Sequence, residues 1–283
     1  MNKEKLLTIG MATYDDYDGV YFTIQSLRLH HPICQTKDVE FVVIDNNPKG
    51  KHAEAVKKLM DNIGGKYVPY EKKKSSFVKY EVPNHSSGKY ILTMDCHVLL
   101  VPNAIDKLLE YYDKNPDCNN LIQGPMVSQS LNNFNSHWDP VFRGHMFGIW
   151  SHNPEAYKKG EPFEIPMLGM GLFSFKKSSF KGINPHFRGF GGEEGYIHEK
   201  FRQWGGRVIC LPDLKWIHRF DRPNGVPFPL TLEDRVFNYF LGYLEIYNDI
   251  EHKMIKDIYH HFKDKLPNGV IDRLLNQAKT KIF

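Results

Sequence analysis

The sequence predicts an α/β fold, a mainly parallel doubly wound sheet with helices on both faces, followed by a C-terminal helical appendage. Three observations carry this. Apolar runs of strand length alternate with amphipathic helical stretches through the first 125 of 283 residues, the pattern of βαβ units. These runs close in polar residues, as strands do at the ligand-binding edge of such a sheet. From Thr231 onward only helical spacing remains.

The elements follow in order. "KLLTIGMAT" is an apolar strand ending in small and polar residues, and "GVYFTIQSLRLH" has helical spacing at Val20, Ile24 and Leu27. "VEFVVIDNN" is a second buried strand closed by the turn "NNPKG". "HAEAVKKLMDNIGG" is a helix with a glycine stop. "GKYILTMDCHVLL" is the next strand, and "PNAIDKLLEYYDKNP" a helix opened by one proline and halted by another. Residues 125–190 are irregular and rich in Gly, Pro, His and aromatics, a composition that suits long loops over a site. "TLEDRVFNYFLGYLEIYNDI" begins with a Thr cap and an acidic first turn. Shorter helices are expected near 253–263 and 268–280.

Bulk properties narrow the function. With 37 basic and 33 acidic residues the net charge is +4, too balanced to indicate nucleic acid by itself. No apolar run approaches the roughly 20 residues of a membrane helix. The first residues lack a signal-peptide core. Cys34, Cys96, Cys118 and Cys210 are scattered, so the expectation is reduced thiols in a cytoplasmic protein.

Three stretches carry chemistry. Asp95-x-His97 sets two metal-binding side chains on one face of a strand end. "GFGGEEGYIHEKFRQWGGRV", residues 189–208, joins glycines that allow close backbone approach to two acids at a helix start. A helix start favours ionised carboxylates that can accept protons. "LKWIHRF" places His218 in a short apolar strand. One carboxylate and two imidazoles suit a divalent ion such as Mn²⁺ with positions open for phosphate oxygens.

These residues resemble the GT-A type, nucleotide-diphosphate-sugar-dependent glycosyltransferases. "IGMATYDD…TIQSL", "FVVIDNN" and "SSGKYILTMDCHVLLVPNAIDKLLEYYDKNP" are similar to bacterial family-two enzymes. "FGGEE", "KFRQWGG" and His218 are similar to the W-G-G-E motif, the following helix and the metal-binding histidine of polypeptide N-acetylgalactosaminyltransferases and galactosyltransferases. The resemblance spans roughly residues 5–220. It implies a transferase domain over 1–228, with a nucleotide-binding half to about 125 and an acceptor half beyond it. Residues 229–283 form the appendage.

The resemblance also implies roles. Asp95, His97 and His218 hold Mn²⁺ (or Mg²⁺) against the diphosphate of a UDP-sugar. Asp45, Thr13 and Tyr14 meet the nucleoside, Lys79 the nucleotide or its phosphates, and Gly169, Gly171 and Gly192 the donor. Glu193 and Glu194 occupy the E-[D/N] pair; Glu194 as general base implies inversion, with Glu193 as base, or a retaining enzyme, as alternatives. The aromatic, polar stretch "NSHWDPVFRGHMFGIW" contains His137, Trp138, Arg143, His145, Met146 and Trp150, of which Trp150 is placed with the donor-binding residues. The acceptor is open among glycan, peptide and modified DNA base. The basic runs "EKKKSSFVK" and "FKKSSFKG" keep nucleic acid in view. An inactive sugar-nucleotide-binding protein is the further alternative, and oligomeric state is left open.

Overall fold

A computed structural model describes residues 4–221 and 230–283; the expected boundary between 228 and 229 lies outside the described residues. The chain opens with β1 (Lys5–Thr13), α1 (Tyr17–His30), β2 (Val39–Asp45), α2 (Ala53–Ile63) and β3 (Lys66–Pro69). A 3-10 helix (Ser76–Glu81) runs into α3 (Val82–His85), followed by β4 (Gly88–Met94), β5 (Val98–Leu100) and α4 (Ala104–Lys114). The middle holds β6 (Leu121–Gln123), β7 (Met126–Val127), β8 (Phe134–Asn135), β9 (His137–Arg143), β10 (Met146–Ser151), α5 (Pro154–Lys158), β11 (Phe163–Glu164) and β12 (Leu172–Lys176). Then come α6 (Glu194–Gln203), β13 (Val208–Cys210), β14 (Trp216–His218), α7 (Leu232–Tyr247), α8 (Lys253–Phe262) and α9 (Val270–Ile282).

Eight strands form the main sheet in the order β11-β13-β6-β12-β4-β1-β2-β3. β1 is parallel to β2 and β4, and β2 to β3. The central strands are apolar on both faces because helices cover both. Leu7, Ile9 and Met11 pack with Val20, Ile24, Val56 and Leu108 of α1, α2 and α4. On the opposite face Val42, Ile44, Phe173 and Phe175 join Tyr196, Phe201 and Phe240 of α6 and α7. Local signals operate as read: α2 stops at Gly64 with φ +68°, and the Thr231 side chain accepts from Asp234 N at the start of α7.

Two departures bear on the site. The stretch expected to be irregular contains β12, which runs antiparallel between β4 and β6 in the middle of the sheet. Its five residues are too short and too uniformly buried to show a period. The strand expected over residues 88–100 is two strands. β4 ends at Met94, the chain turns through Asp95–His97, and β5 joins a second, four-stranded sheet in the order β5-β14-β7-β8. Asp95 and His97 are therefore brought together by a turn between sheets, not by strand alternation. Among the described residues no helix is long and apolar enough to cross a membrane, and the four cysteines are buried free thiols.

Candidate active site

The turn at Asp95–His97 is built by three neighbours. Thr23 of α1 donates its hydroxyl to Cys96 O (3.2 Å) and Val98 O (3.0 Å). Asp95 N donates to Gly171 O at 2.8 Å. β14 lies antiparallel to β5 with His218 opposite Val98, which delivers that ring beside His97. Gly171 is required here, since a Cβ would sit 2.9 Å from the Trp216 ring and 3.3 Å from His218.

The result is a convergence of three side chains. His97 Nε2 lies 3.2 Å from His218 Nε2, and His218 Nε2 lies 3.3 Å from Asp95 Oδ2. The three offer ligand atoms within 4.8 Å of one another. Adjacent vertices of an octahedral shell with bonds of about 2.1 Å are about 3.0 Å apart, so these spacings suit a small divalent cation. One carboxylate and two imidazole nitrogens are a fitting set for a borderline ion.

Supporting groups orient this set. Asp16 caps α1 by accepting from Gly19 N at 3.0 Å, and its Oδ2 accepts from His97 Nδ1 at 3.2 Å. Arg219 Nη2 donates to both Asp16 oxygens, at 2.9 and 3.1 Å. With Nδ1 donating, Nε2 keeps its lone pair toward Asp95 and His218. Burial opposes charge on Asp16, but the bonds from His97 and Gly19 hold its carboxyl well below the usual range. Asp16, Cys96 and His97 also lie close enough to be read as a second ligand group, but Asp16 is already engaged by Arg219 and Gly19.

Lys79 is buried between the acids. Its ammonium donates to Met170 O at 2.9 Å, and lies 3.6 Å from Asp95 Oδ1 and 3.8 Å from Glu193 Oε1. Burial works against ionisation of Asp95, yet the Lys79 charge and the His218 bond keep its carboxyl well below the ordinary range. Burial likewise works against the Lys79 charge, which the Asp95 carboxylate more than restores.

Glu193 and Glu194 stand at the start of α6, after Gly191 and Gly192 with φ of +83° and +95°. The helix start does not keep both acids ionised. Glu193 is 2% exposed, and burial, reinforced by the Glu194 charge, pushes its carboxyl up to about 8. Glu194 accepts from Gly192 N at 3.3 Å. The glycine loop is tied down by Asn238 of α7, whose Nδ2 donates to Arg188 O (2.7 Å) and Gly191 O (2.8 Å) and whose Oδ1 accepts from Arg188 N (3.1 Å).

A cavity of 290 Å³ opens over these groups. Thr13, Tyr14, Lys79, Asp95, His97, Gly169, Gly171, Glu193, Glu194 and His218, all expected from sequence, line it. Asp45, Gly192 and Trp150 do not. The Asp45 carboxylate is taken by Tyr67 OH (2.7 Å) and Asn47 N (2.8 Å); Gly192 packs under Asn238; Trp150 is 47% exposed and rests on Phe220, itself a lining residue. Of the aromatic middle stretch, Trp138 and Met146 reach the cavity. Asp16 and Ser76 line it as well, and nothing in their local pattern distinguishes them from an ordinary helix cap and a loop serine. Among the described residues, Thr13 Oγ1, Ser76 Oγ, Trp138 Nε1, Glu193 Oε2 and His218 Nδ1 are buried without a hydrogen-bond partner. All five residues line this one cavity.

The family model for Glycosyl transferase family 2 matches residues 8–183. The chain belongs to this family. Its sheet, with helices on both faces, is the GT-A architecture. Solved structures agree on the fold. GalNAc-T7, in a crystal structure with UDP, GalNAc and Mn²⁺, is similar at a TM-score of 0.71 and 16% identity, over 99% of this chain and 55% of that one. The mannosyltransferase PcManGT from Pyrobaculum calidifontis, in complex with GDP-Man and Mn²⁺, is similar at 0.52 and 13%, over 99% and 74%. The family 2 chain thus spans about half the length of GalNAc-T7. No curated protein matches it.

Proposed function

We propose that this family 2 enzyme transfers a glycosyl group from a UDP-sugar to an acceptor hydroxyl, with Mn²⁺ at Asp95, His97 and His218 and with inversion at the anomeric carbon. The observation that carries this reading is that the three candidate ligands, Lys79 and the two carboxylates of Glu193 and Glu194 line one cavity. The complexes of GalNAc-T7 with UDP and Mn²⁺ and of PcManGT with GDP-Man and Mn²⁺ support the donor class.

The protein's own groups divide the work. When bound, the cation would offset the negative charge that builds on the departing diphosphate. Lys79 keeps Asp95 ionised and fixes its distance from Glu193. Thr13, Tyr14 and Ser76 wall the end of the cavity near β1, where the nucleoside would lie. Trp138, with Gly169 packed against its ring, forms part of the apolar wall beside the donor. Glu193, kept protonated, donates to a hydroxyl. Glu194 takes the acceptor's proton as its oxygen attacks the anomeric carbon on the face opposite the diphosphate.

A thermal-shift series with UDP-, GDP- and dTDP-sugars, each with and without Mn²⁺, tests the reading. A specific donor at a hundredfold excess over its Kd stabilises by about 2.7 kcal/mol, and the largest shift is expected for a UDP-sugar with Mn²⁺. D95A and H218A abolish that shift. E194Q retains it but loses donor hydrolysis, in which water replaces the acceptor. A Mn²⁺-dependent shift surviving in D95A and H218A would overturn the ligand assignment. Wild-type hydrolysis by E194Q would overturn the base.

A further inference from the structure

A second cavity, of 650 Å³, lies between residues 70–84 and residues 177–185 and shares no lining residue with the first. It joins lysines of the two basic runs that the glycosyltransferase reading leaves unused: Lys72 and Lys73 come from "EKKKSSFVK", Lys177 and Lys181 from "FKKSSFKG". Glu81 is the acid among its lining residues, and it is held by Asn84 Nδ2 at 2.8 Å and Tyr70 OH at 3.5 Å. Among the described residues, none of the four ammonium groups has a carboxylate within 4.0 Å.

Two of the lysines are built into the wall. Lys73 is half-buried, its Nζ 3.4 Å from both Pro185 O and Phe187 O, and burial lowers its pKa below that of an ordinary lysine. Lys177 donates to Ser86 O at 2.6 Å. Such anchoring holds cations of like sign around one concavity, an arrangement that repels itself unless an anion offsets it. Tyr80 and Phe180, stacked at 6.4 Å, add an aromatic face.

We propose that this cavity binds a small phosphorylated ligand, separately from the donor site. Its volume falls in the range of about 300–1,000 Å³ typical of small-molecule sites, and its lysines ring a pocket instead of tracking along a surface as a polymer site does. The 3-10 helix Ser76–Glu81 is the wall between the two cavities: Ser76 and Lys79 face the first, Phe77, Tyr80 and Glu81 the second.

Calorimetric titration of inorganic pyrophosphate and of glucose 6-phosphate into the whole chain, with EDTA present, tests this. The two probes separate a compact oligophosphate from a sugar phosphate. Saturable binding of at least one is expected in the wild type and unchanged in D95A. K72Q/K181Q, which alters exposed side chains only, weakens it at least tenfold, and K73Q/K177Q does likewise, with folding of each verified by circular dichroism. Failure of both probes to bind, loss of binding in D95A, or wild-type affinity in K72Q/K181Q would overturn the proposal.

Discussion

Replacing Asp16 by Asn probes how the candidate cation site is kept in order. The substitution preserves shape and leaves an oxygen to accept from Gly19 N, so α1 keeps its cap. It removes the charge that Arg219 neutralises and presents an NH₂ to His97 Nδ1 at 3.2 Å. Nδ1 must then accept, the ring proton moves to Nε2, and the lone pair facing Asp95 and His218 is lost. Removing an outer partner of a ligating histidine costs about 10- to 100-fold in metal affinity, or about 1.4–2.8 kcal/mol. D16N should therefore raise the Mn²⁺ Kd by that factor, measured by electron paramagnetic resonance of free Mn²⁺, with Tm close to wild type. D16A should show the same loss and in addition forfeit about 1 kcal/mol of capping, about 2–4 °C in Tm. Wild-type Mn²⁺ affinity in D16N would refute the idea that Asp16 sets the tautomer of His97.

Three further outcomes are expected. Glu193 has a folded pKa raised to about 8, so between about pH 4.5 and 8 the unfolded chain gives up a proton that the folded protein retains, and stability falls as pH rises; E193Q should gain Tm relative to wild type from pH 5 to pH 8, and a constant difference would count against it. G171A forces a methyl to within 2.9 Å of the Trp216 ring; overpacking of this kind costs about 1–3 kcal/mol, and displacement of His218 should weaken Mn²⁺ binding as well, so a variant with normal Tm and normal affinity contradicts the packing argument. N238A strips partners from Arg188 N, Arg188 O and Gly191 O, which should cost about 1–3 kcal/mol and lower donor hydrolysis at least tenfold while leaving Mn²⁺ affinity unchanged; loss of Mn²⁺ affinity instead would mean that the loop supports the cation residues.

Local features of this fold were readable because they report local physics. Alternating apolar runs express burial between helix layers, Thr231 and Gly64 express cap geometry, and each acts within a few residues of itself. The candidate ligands were also readable, because an acid and two histidines at apolar strand ends are chemically conspicuous. β12 was not, since a buried strand this short shows no period. Asp16 and Ser76 were missed for a different reason: each is an unremarkable residue until the turn at Asp95–His97, or the cavity above it, comes to lie against it. The reading of residues 88–100 as one strand failed because periodicity cannot tell a continuous strand from two strands of equal burial in different sheets.

By itself, then, the sequence determined that this protein is an α/β domain with helices on both faces of its sheet, because burial and capping are short-range preferences written into neighbouring residues. Only the tertiary structure decided that Asp95, His97 and His218 meet across separations of up to 123 positions, that Lys79 is sealed between two acids, and that α7 pins the glycine loop through Asn238. Those contacts depend on which strands pair and which side chains lose water together, and such long-range selection leaves no periodic trace along the chain.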